Sequence, residues 1–310
     1  MTIDIRPSAG ITADWLTAVL RHAGHAVDVA DFTAQRIGSG QVGESVRFSL
    51  KYTGLATGAP AAIVGKFPST DETSRQTGIM FGNYIREVNF YRHLAPTALI
   101  RTPRCLFTDI NEDTHDFVLM MEDLAPAEQG DQTMGVSLHQ ARLAMAEAAK
   151  LHSSHWNDRA LDDHTWLSGA RVAAQGPGGE LMTSLWAGFL NRYGARVSPE
   201  CRRVGGVFVA LYDTYQHGYA VPKCLTHNDF RPDNMMFATS AGGAPATIVD
   251  WQTAGYGCPM ADISYFLGGA FTRDQRQAHE RGLLNLYHTG LQSLGVTDYD
   301  GDSLWRDYAR

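Results

Sequence analysis

His227-Asn-Asp229-Phe-Arg231-Pro-Asp-Asn234 places a histidine, an aspartate and an asparagine in the pattern H-x-D-x-x-x-x-N, and Ile248-Val-Asp250 follows, with Asp250 sixteen residues after Asn234. Transfer of a phosphoryl group to a hydroxyl needs those residue types. One carboxylate must orient the hydroxyl and take its proton, and two oxygen ligands must hold Mg²⁺ against the phosphates of a nucleotide. Asp229 suits the first task, and Asn234 and Asp250 suit the second. Arg231, two residues beyond Asp229, can reach the transferring group and offset its charge. His227 reads as a brace for the loop, because Asp229 already fills the role of base.

Upstream residues complete the set. Gly38-Ser-Gly40-Gln-Val-Gly43 matches G-x-G-x-x-G. A dinucleotide-binding turn of that spelling must open into a helix. Here Val46, Phe48, Leu50 and Tyr52 alternate with Ser45, Arg47, Ser49 and Lys51, so a strand follows instead. Strand, glycine loop, strand is the arrangement in which backbone N–H groups cover nucleotide phosphates. This disfavours a Rossmann oxidoreductase. Lys66 ends the next apolar run, and Glu87 falls on the helix after it, as in a lysine–glutamate pair for the α- and β-phosphates.

The elements that must position these residues divide the chain by character. A helix is expected over Thr12–His22 with Thr12 as N-cap, then strands near 45–52 and 61–67. A polar loop is expected over Pro68–Gly78, one helix over about Thr77–Leu94, and strands at Arg104–Asp109 and Phe117–Glu122. Beyond Asp123 the pattern is helical. Ser137-x-x-Gln140 opens a helix with a capping box, and further helices are expected at Gly179–Tyr193, Cys201–Gly218 and Arg273–Leu294. The fold class is therefore α+β and bilobal, with a small β-rich N-lobe carrying one main helix and a larger helical C-lobe. Residues 1–122 form the expected nucleotide-binding lobe, and 123–310 the catalytic and substrate-binding lobe.

Composition bounds the partners. The 310 residues carry a net charge of −7, with 44% apolar and 19% charged residues, which disfavours nucleic acid. No window resembles a signal peptide or a membrane span, and Cys105, Cys201, Cys224 and Cys258 show no C-x-x-C pairing. A cytoplasmic protein with reduced thiols is expected. His152 and His155 have no evident third ligand, so a zinc site is not expected.

In these motifs the chain resembles the aminoglycoside phosphotransferase and choline kinase superfamily. It is most similar to the branch of ecdysteroid-kinase-like and uncharacterised bacterial phosphotransferases, and the resemblance runs from Gly38 to about Leu267. It implies a protein-kinase-like fold, ATP (with GTP not excluded) and Mg²⁺ as cofactors, and a small-molecule alcohol as acceptor. It also implies that Asp229 is the catalytic base, that Asn234 and Asp250 bind the metal, and that Lys66 pairs with Glu87. Met120-Met-Glu122-Asp-Leu124 is then the hinge that binds adenine, and Asp262 braces the catalytic loop. The chain departs from the pattern at Asp250-Trp-Gln, where protein kinases have D-F-G, and at His227-Asn-Asp, where relatives have His-Gly-Asp. No long segment ending in A-P-E follows Asp250, so a protein substrate is not expected. The acceptor class stays open between a polycationic aminoglycoside and an apolar, sterol-like alcohol. Most of Trp186, Phe189, Tyr193, Phe208, Tyr212 and Tyr215 read most simply as core, so they do not decide between the two. The rival reading is a non-catalytic nucleotide-binding module of kinase fold.

Overall fold

The computed structural model describes residues 3–38, 42–167, 178–217 and 222–310. Helix α1 (Ala13–His22) starts where Thr12 Oγ1 accepts the Trp15 N–H at 3.2 Å. It buries Trp15, Leu16, Val19 and Leu20 against one face of a five-stranded antiparallel sheet. The strands are β1 (Val29–Ile37), β2 (Gly43–Tyr52), β3 (Ala62–Pro68), β4 (Cys105–Ile110) and β5 (Phe117–Glu122), in the order β1-β2-β3-β5-β4. The alternation of β2 is real: Val46 and Phe48 are buried in the core beneath α1.

Two expectations for the segment after β3 need correction. Part of the supposed polar loop is helix α2 (Glu72–Met80), capped by Asp71, whose carboxylate accepts the Ser74 N–H at 2.8 Å. Only Gly78 in it is buried, so it carries no apolar periodicity to reveal it. The single helix over 77–94 is also interrupted. Gly82, at φ +66, breaks the chain before α3 (Asn83–Asn89), which runs on into a π-helical turn over Phe90–Leu94. Such a left-handed step is open to glycine at little cost.

The C-terminal part is mainly helical. It contains α4 (Leu138–Ser154), with both halves of its capping box formed, and a small sheet of β6 (Glu128–Gln129), β8 (Met235–Thr239) and β9 (Gly242–Ile248). Strands β7 (Cys224–Thr226) and β10 (Gly255–Gly257) pair with each other. The remaining helices are α5 (Gly179–Tyr193), α6 (Pro199–Ala210), α7 (Tyr212–His217), α8 (Pro259–Ala270), α9 (Arg273–Ser293) and α10 (Gly301–Tyr308). One buried apolar cluster joins Tyr84, Val88 and Phe90 of the α3 region to α4, α8 and α9. No helix among the described residues is long and apolar enough to cross a membrane.

The hairpin of α5 and α6 overturns the core assignment of its aromatic residues. Neither helix buries a single residue. Phe189, Tyr193, Phe208 and Tyr215 are exposed, and Trp186 and Tyr212 are only half-buried. The two helices cross where Trp186 lies over Gly205, leaving no room there for a Cβ. Their apolar stripes are thus too wide for the mutual contact, and part of each faces outward.

Candidate active site

Strand β7 delivers the chain to His227, where a buried carboxylate takes over. Asp262, in the first turn of α8, accepts the backbone N–H of His227 and of Asn228, each at 2.7 Å. His152 meets the same carboxylate at 3.2 Å and the Tyr287 hydroxyl at 2.7 Å. His227 Nε2 donates to the Val249 carbonyl at 2.9 Å, and its Nδ1 accepts the Asp229 N–H at 3.3 Å. Those partners fix the neutral tautomer protonated on Nε2. Asn228 holds φ at +60 and donates its amide to the Thr253 carbonyl at 3.0 Å. His227 and Asp262 are wholly buried; they are a frame, and Asp229 is what the frame presents.

The Asp229 carboxylate accepts from Asn234 Nδ2 at 2.8 Å, and that nitrogen also reaches the Asp229 carbonyl at 2.9 Å. Arg231 Nε lies 3.2 Å from the other carboxylate oxygen, too poorly aligned for a hydrogen bond. The β8–β9 register then carries Asp250 to the same place. Met235 pairs with Ile248, and the Val249 N–H donates to the Asn234 carbonyl at 3.0 Å. One residue on, Asp250 leaves the strand at φ +67. An aspartate tolerates that conformation better than most side chains, at a cost of about 1 kcal/mol.

Asp250 meets Lys66 Nζ at 2.6 Å, and the same ammonium touches Glu87 at 2.7 and 2.8 Å. Burial works against the charged lysine, but the Asp250 and Glu87 carboxylates outweigh it and hold the ammonium above its usual range. Burial raises the Glu87 carboxyl despite Lys66, whereas Asp250, also opposed by burial, is lowered by Lys66. Glu87 keeps only 2% of its side chain exposed, against 28% for Asp250. The helix that carries Glu87 is fixed at two points to the turn that follows Asp250. Arg86 donates to the Gln252 carbonyl at 3.0 Å, and Phe90 stacks on Trp251 with ring centroids 3.9 Å apart.

The outer residues lie around this cluster. Gly38 (φ +69) follows β1 and Gly43 begins β2, where a Cβ would come within 3.4 Å of Lys66 Cε. Gly40 lies outside the described residues. Glu122 stands opposite Ile63 on β3, three pairs from Lys66, or roughly 10 Å along the sheet. Its carboxylate is held by Arg101 at 2.6 Å and by the Arg104 N–H at 2.7 Å, and its own N–H donates to the Arg104 carbonyl at 3.0 Å. Asp123 is forked by Arg47 at 2.8 and 2.9 Å. The Leu124 carbonyl accepts from Ala127 at 2.9 Å, while the Leu124 N–H has no partner among the described residues.

The donor set fits a magnesium nucleotide. Asn234 spends its amide nitrogen on Asp229, which leaves its oxygen for a cation, and the lysine shows that Asp250 sits where positive charge is wanted. Two protein oxygens are few, but Mg²⁺ commonly completes its shell with phosphate and water. The unpartnered Leu124 N–H is of the kind that a purine ring nitrogen accepts from. No group of three or more histidine, cysteine or carboxylate side chains suited to a metal occurs among the described residues; His152 and His155 turn to Asp262 and Asp158 respectively.

One neighbour was not legible beforehand. Tyr265, on α8, is 47% exposed and faces Asp229; burial and then the Asp229 charge raise its phenol above the ordinary range. The helical spacing of Ile263, Phe266 and Leu267 marks the buried face of α8, and Tyr265 is the residue that this face leaves out.

The profile of the phosphotransferase enzyme family (APH) matches residues 80–295. Among solved structures, a streptomycin–ATP complex of APH(2")-IIa is 16% identical, covers 96% of this chain and 92% of its own, and superposes with a TM-score of 0.49. The GDP complex of a mutant of an aminoglycoside 2'-phosphotransferase-IIIa is 16% identical over 96% and 98% of the chains, with a TM-score of 0.47. The choline kinase LicA from Streptococcus pneumoniae is 13% identical over 96% of both, with a TM-score of 0.46. No curated protein matches significantly. With the family profile spanning more than two thirds of its length, this chain belongs to the phosphotransferase enzyme family and is a small-molecule kinase of protein-kinase-like fold.

Proposed function

We propose that the protein transfers the γ-phosphoryl group of Mg-ATP to a hydroxyl of a small molecule, with Asp229 as the base. The observation that carries this reading is the gathering of the Asp229–Asn234 pair and the Asp250–Lys66–Glu87 triad at one place, linked by the Val249 N–H on the Asn234 carbonyl one residue before Asp250. Residues 1–122 would hold the nucleotide, through the glycine loop and Lys66, with the backbone of Glu122 and of Leu124 just beyond it at the adenine, and 123–310 would supply the base and the acceptor site. Asp229 takes the proton of the acceptor hydroxyl as its oxygen bonds to the γ-phosphorus. The bridging oxygen then leaves with the nucleoside diphosphate. Arg231 offsets charge on the transferring group, and Lys66 holds the remaining phosphates. Mg²⁺, held by Asn234 and Asp250, would neutralise the phosphate oxygens. Only eight residues separate Asp250 from the start of α8 at Pro259, too few for a long substrate-docking segment, so a small acceptor is favoured over a protein. The four unpaired cysteines suit a reducing cytoplasm.

The test is mass spectrometry of a pooled alcohol library incubated with enzyme and Mg-ATP, beside Asp229→Ala. A phosphorylated product is expected from the wild type, with transfer by the variant reduced by roughly 10²–10⁴-fold. Undiminished transfer by Asp229→Ala would refute the assignment of the base.

A further inference from the structure

The ladder between β2 and β3 ends where the glycine loop returns to the sheet, and a side chain makes its last rung. Gly43 opposite Pro68 is the final pair of the ladder. In an antiparallel ladder the hydrogen-bonded pairs fall at every second residue. The Leu50 N–H on the Ala61 carbonyl at 2.9 Å makes the even-numbered residues of β2 the bonded ones. Gly43 and Pro68 are therefore an unbonded pair, which suits a residue with no N–H to give. The next bonded rung would join Ser69 to Val42. In its place stands the hydroxyl of Tyr84, which accepts the Ser69 N–H at 3.4 Å and donates to the Val42 carbonyl.

Tyr84 is 2% exposed, and its ring lies 4.8 Å, centroid to centroid, from Phe117 of β5. Helix α2 covers it at Gly78, where a Cβ would come 2.7 Å from the ring. Those contacts would hold a phenylalanine equally well, so they do not explain the hydroxyl. Burial raises the phenol above its ordinary range, so it keeps its proton and stays a donor at neutral pH. Tyr84 is also the second residue of α3, and Glu87 follows it by three on the same short helix. One helix thus holds Lys66 through Glu87 and the end of the glycine loop through Tyr84. The contact lies at one end of the sheet only. Ser69 is six residues from Ile63, whose partner is Glu122, or roughly 20 Å along the strand.

We infer that Tyr84 is a positioning residue for the nucleotide phosphates, its hydroxyl standing in for the next rung of the ladder and so fixing the point at which the glycine loop meets β2. This rests on the phosphotransferase reading above and deepens its phosphate half. Backbone N–H groups of such a loop serve phosphate oxygens only while the loop's anchor stays in place. With Tyr84 present, the loop's end and the Lys66 ammonium keep one spacing, because both are held by α3. The adenine end, a strand's length away, does not depend on it.

The test is isothermal titration of the full chain with Mg-ATP and with adenosine, in the wild type and in Tyr84→Phe, whose fold is checked by circular dichroism. Loss of the hydroxyl should weaken Mg-ATP by roughly two- to twelvefold, the equivalent of one hydrogen bond, and leave the dissociation constant of adenosine unchanged. A general loosening of the fold would move both. Gly78→Ala, which crowds the Tyr84 ring from α2 while keeping its hydroxyl, should show the same split, and it carries the test alone if Tyr84→Phe does not fold. Unchanged binding of Mg-ATP in Tyr84→Phe, or an equal loss for adenosine, overturns the inference and leaves the phosphotransferase reading standing. A wild type that binds neither Mg-ATP nor adenosine would sink the phosphotransferase reading itself, and this inference with it.

Discussion

Replacing Lys66 with methionine isolates the cost of the buried charge that this site is built around. The ammonium lies 2.7 and 2.8 Å from the two oxygens of Glu87, whose side chain is 2% exposed. Lys66→Met keeps most of the lysine's volume but leaves that carboxylate without a counter-charge. Removing one partner of a buried pair typically costs about 3–5 kcal/mol. A chain of 310 residues unfolding as one unit has an entropy of roughly 0.65 kcal/mol/K. The melting temperature should therefore fall by roughly 5–8 °C. Lys66→Met/Glu87→Gln removes the stranded charge and should recover roughly 2 kcal/mol of the loss. The pH dependence has a definite sign. Burial raises the folded-state pKa of Glu87 above its unfolded value even in the presence of Lys66. The variant's stability should thus be greatest at low pH and decline as pH rises from the unfolded value through that folded value. Thermal melts from pH 4 to pH 8, a range chosen as roughly that over which a buried carboxyl titrates, provide the check. If Lys66→Met melts with the wild type, or Glu87→Gln brings no rescue at neutral pH, Glu87 does not carry a buried charge and the reasoning fails.

Three further outcomes are expected. Asp262→Ala strands the N–H groups of His227 and Asn228, so chemical denaturation should show a loss of about 2–5 kcal/mol. Gly65→Ala would put a Cβ 2.7 Å from the Phe67 ring and 2.8 Å from Met120 Sδ; overpacking of about 1–3 kcal/mol should appear in the melt. Of the four thiols only Cys201 is exposed, whereas burial raises Cys105 to about 11 and lifts Cys224 and Cys258 as well. An aromatic disulfide reagent at neutral pH should therefore label one thiol rapidly in the folded protein, and equal rates at two or more would contradict the burial.

Some of this molecule could be read from its residues because chemistry dictates their spacing. The H-x-D-x-x-x-x-N pattern spans one loop, and Asp250 follows a two-stranded turn whose register brings it back beside Asn234. Strand β2 was visible because it buries one face. Where burial does not follow a period the sequence is mute. Helix α2 buries one glycine, so its polar residues looked like a loop. The break at Gly82 lay hidden inside an apolar run that is helical on both sides. The aromatic residues of α5 and α6 misled for the converse reason. Their periodicity is that of a core helix, and composition cannot say that no core lies opposite. Tyr265 went unnoticed because its relation to Asp229 depends on how α8 is rotated against the loop, which no local pattern encodes.

The stack of Phe90 on Trp251 has a meaning for control. In protein kinases the helix that carries the glutamate swings, and the swing makes an on–off switch. Here that swing would have to separate a pair of rings 3.9 Å apart, break the bond from Arg86 to the Gln252 carbonyl, and pull the wholly buried Val88 from the core, all at once. The helix is also tied to Trp251, the residue next to Asp250, so the glutamate and that carboxylate travel together or stay still. A dormant form made by swinging this helix would have to give up all of these contacts together.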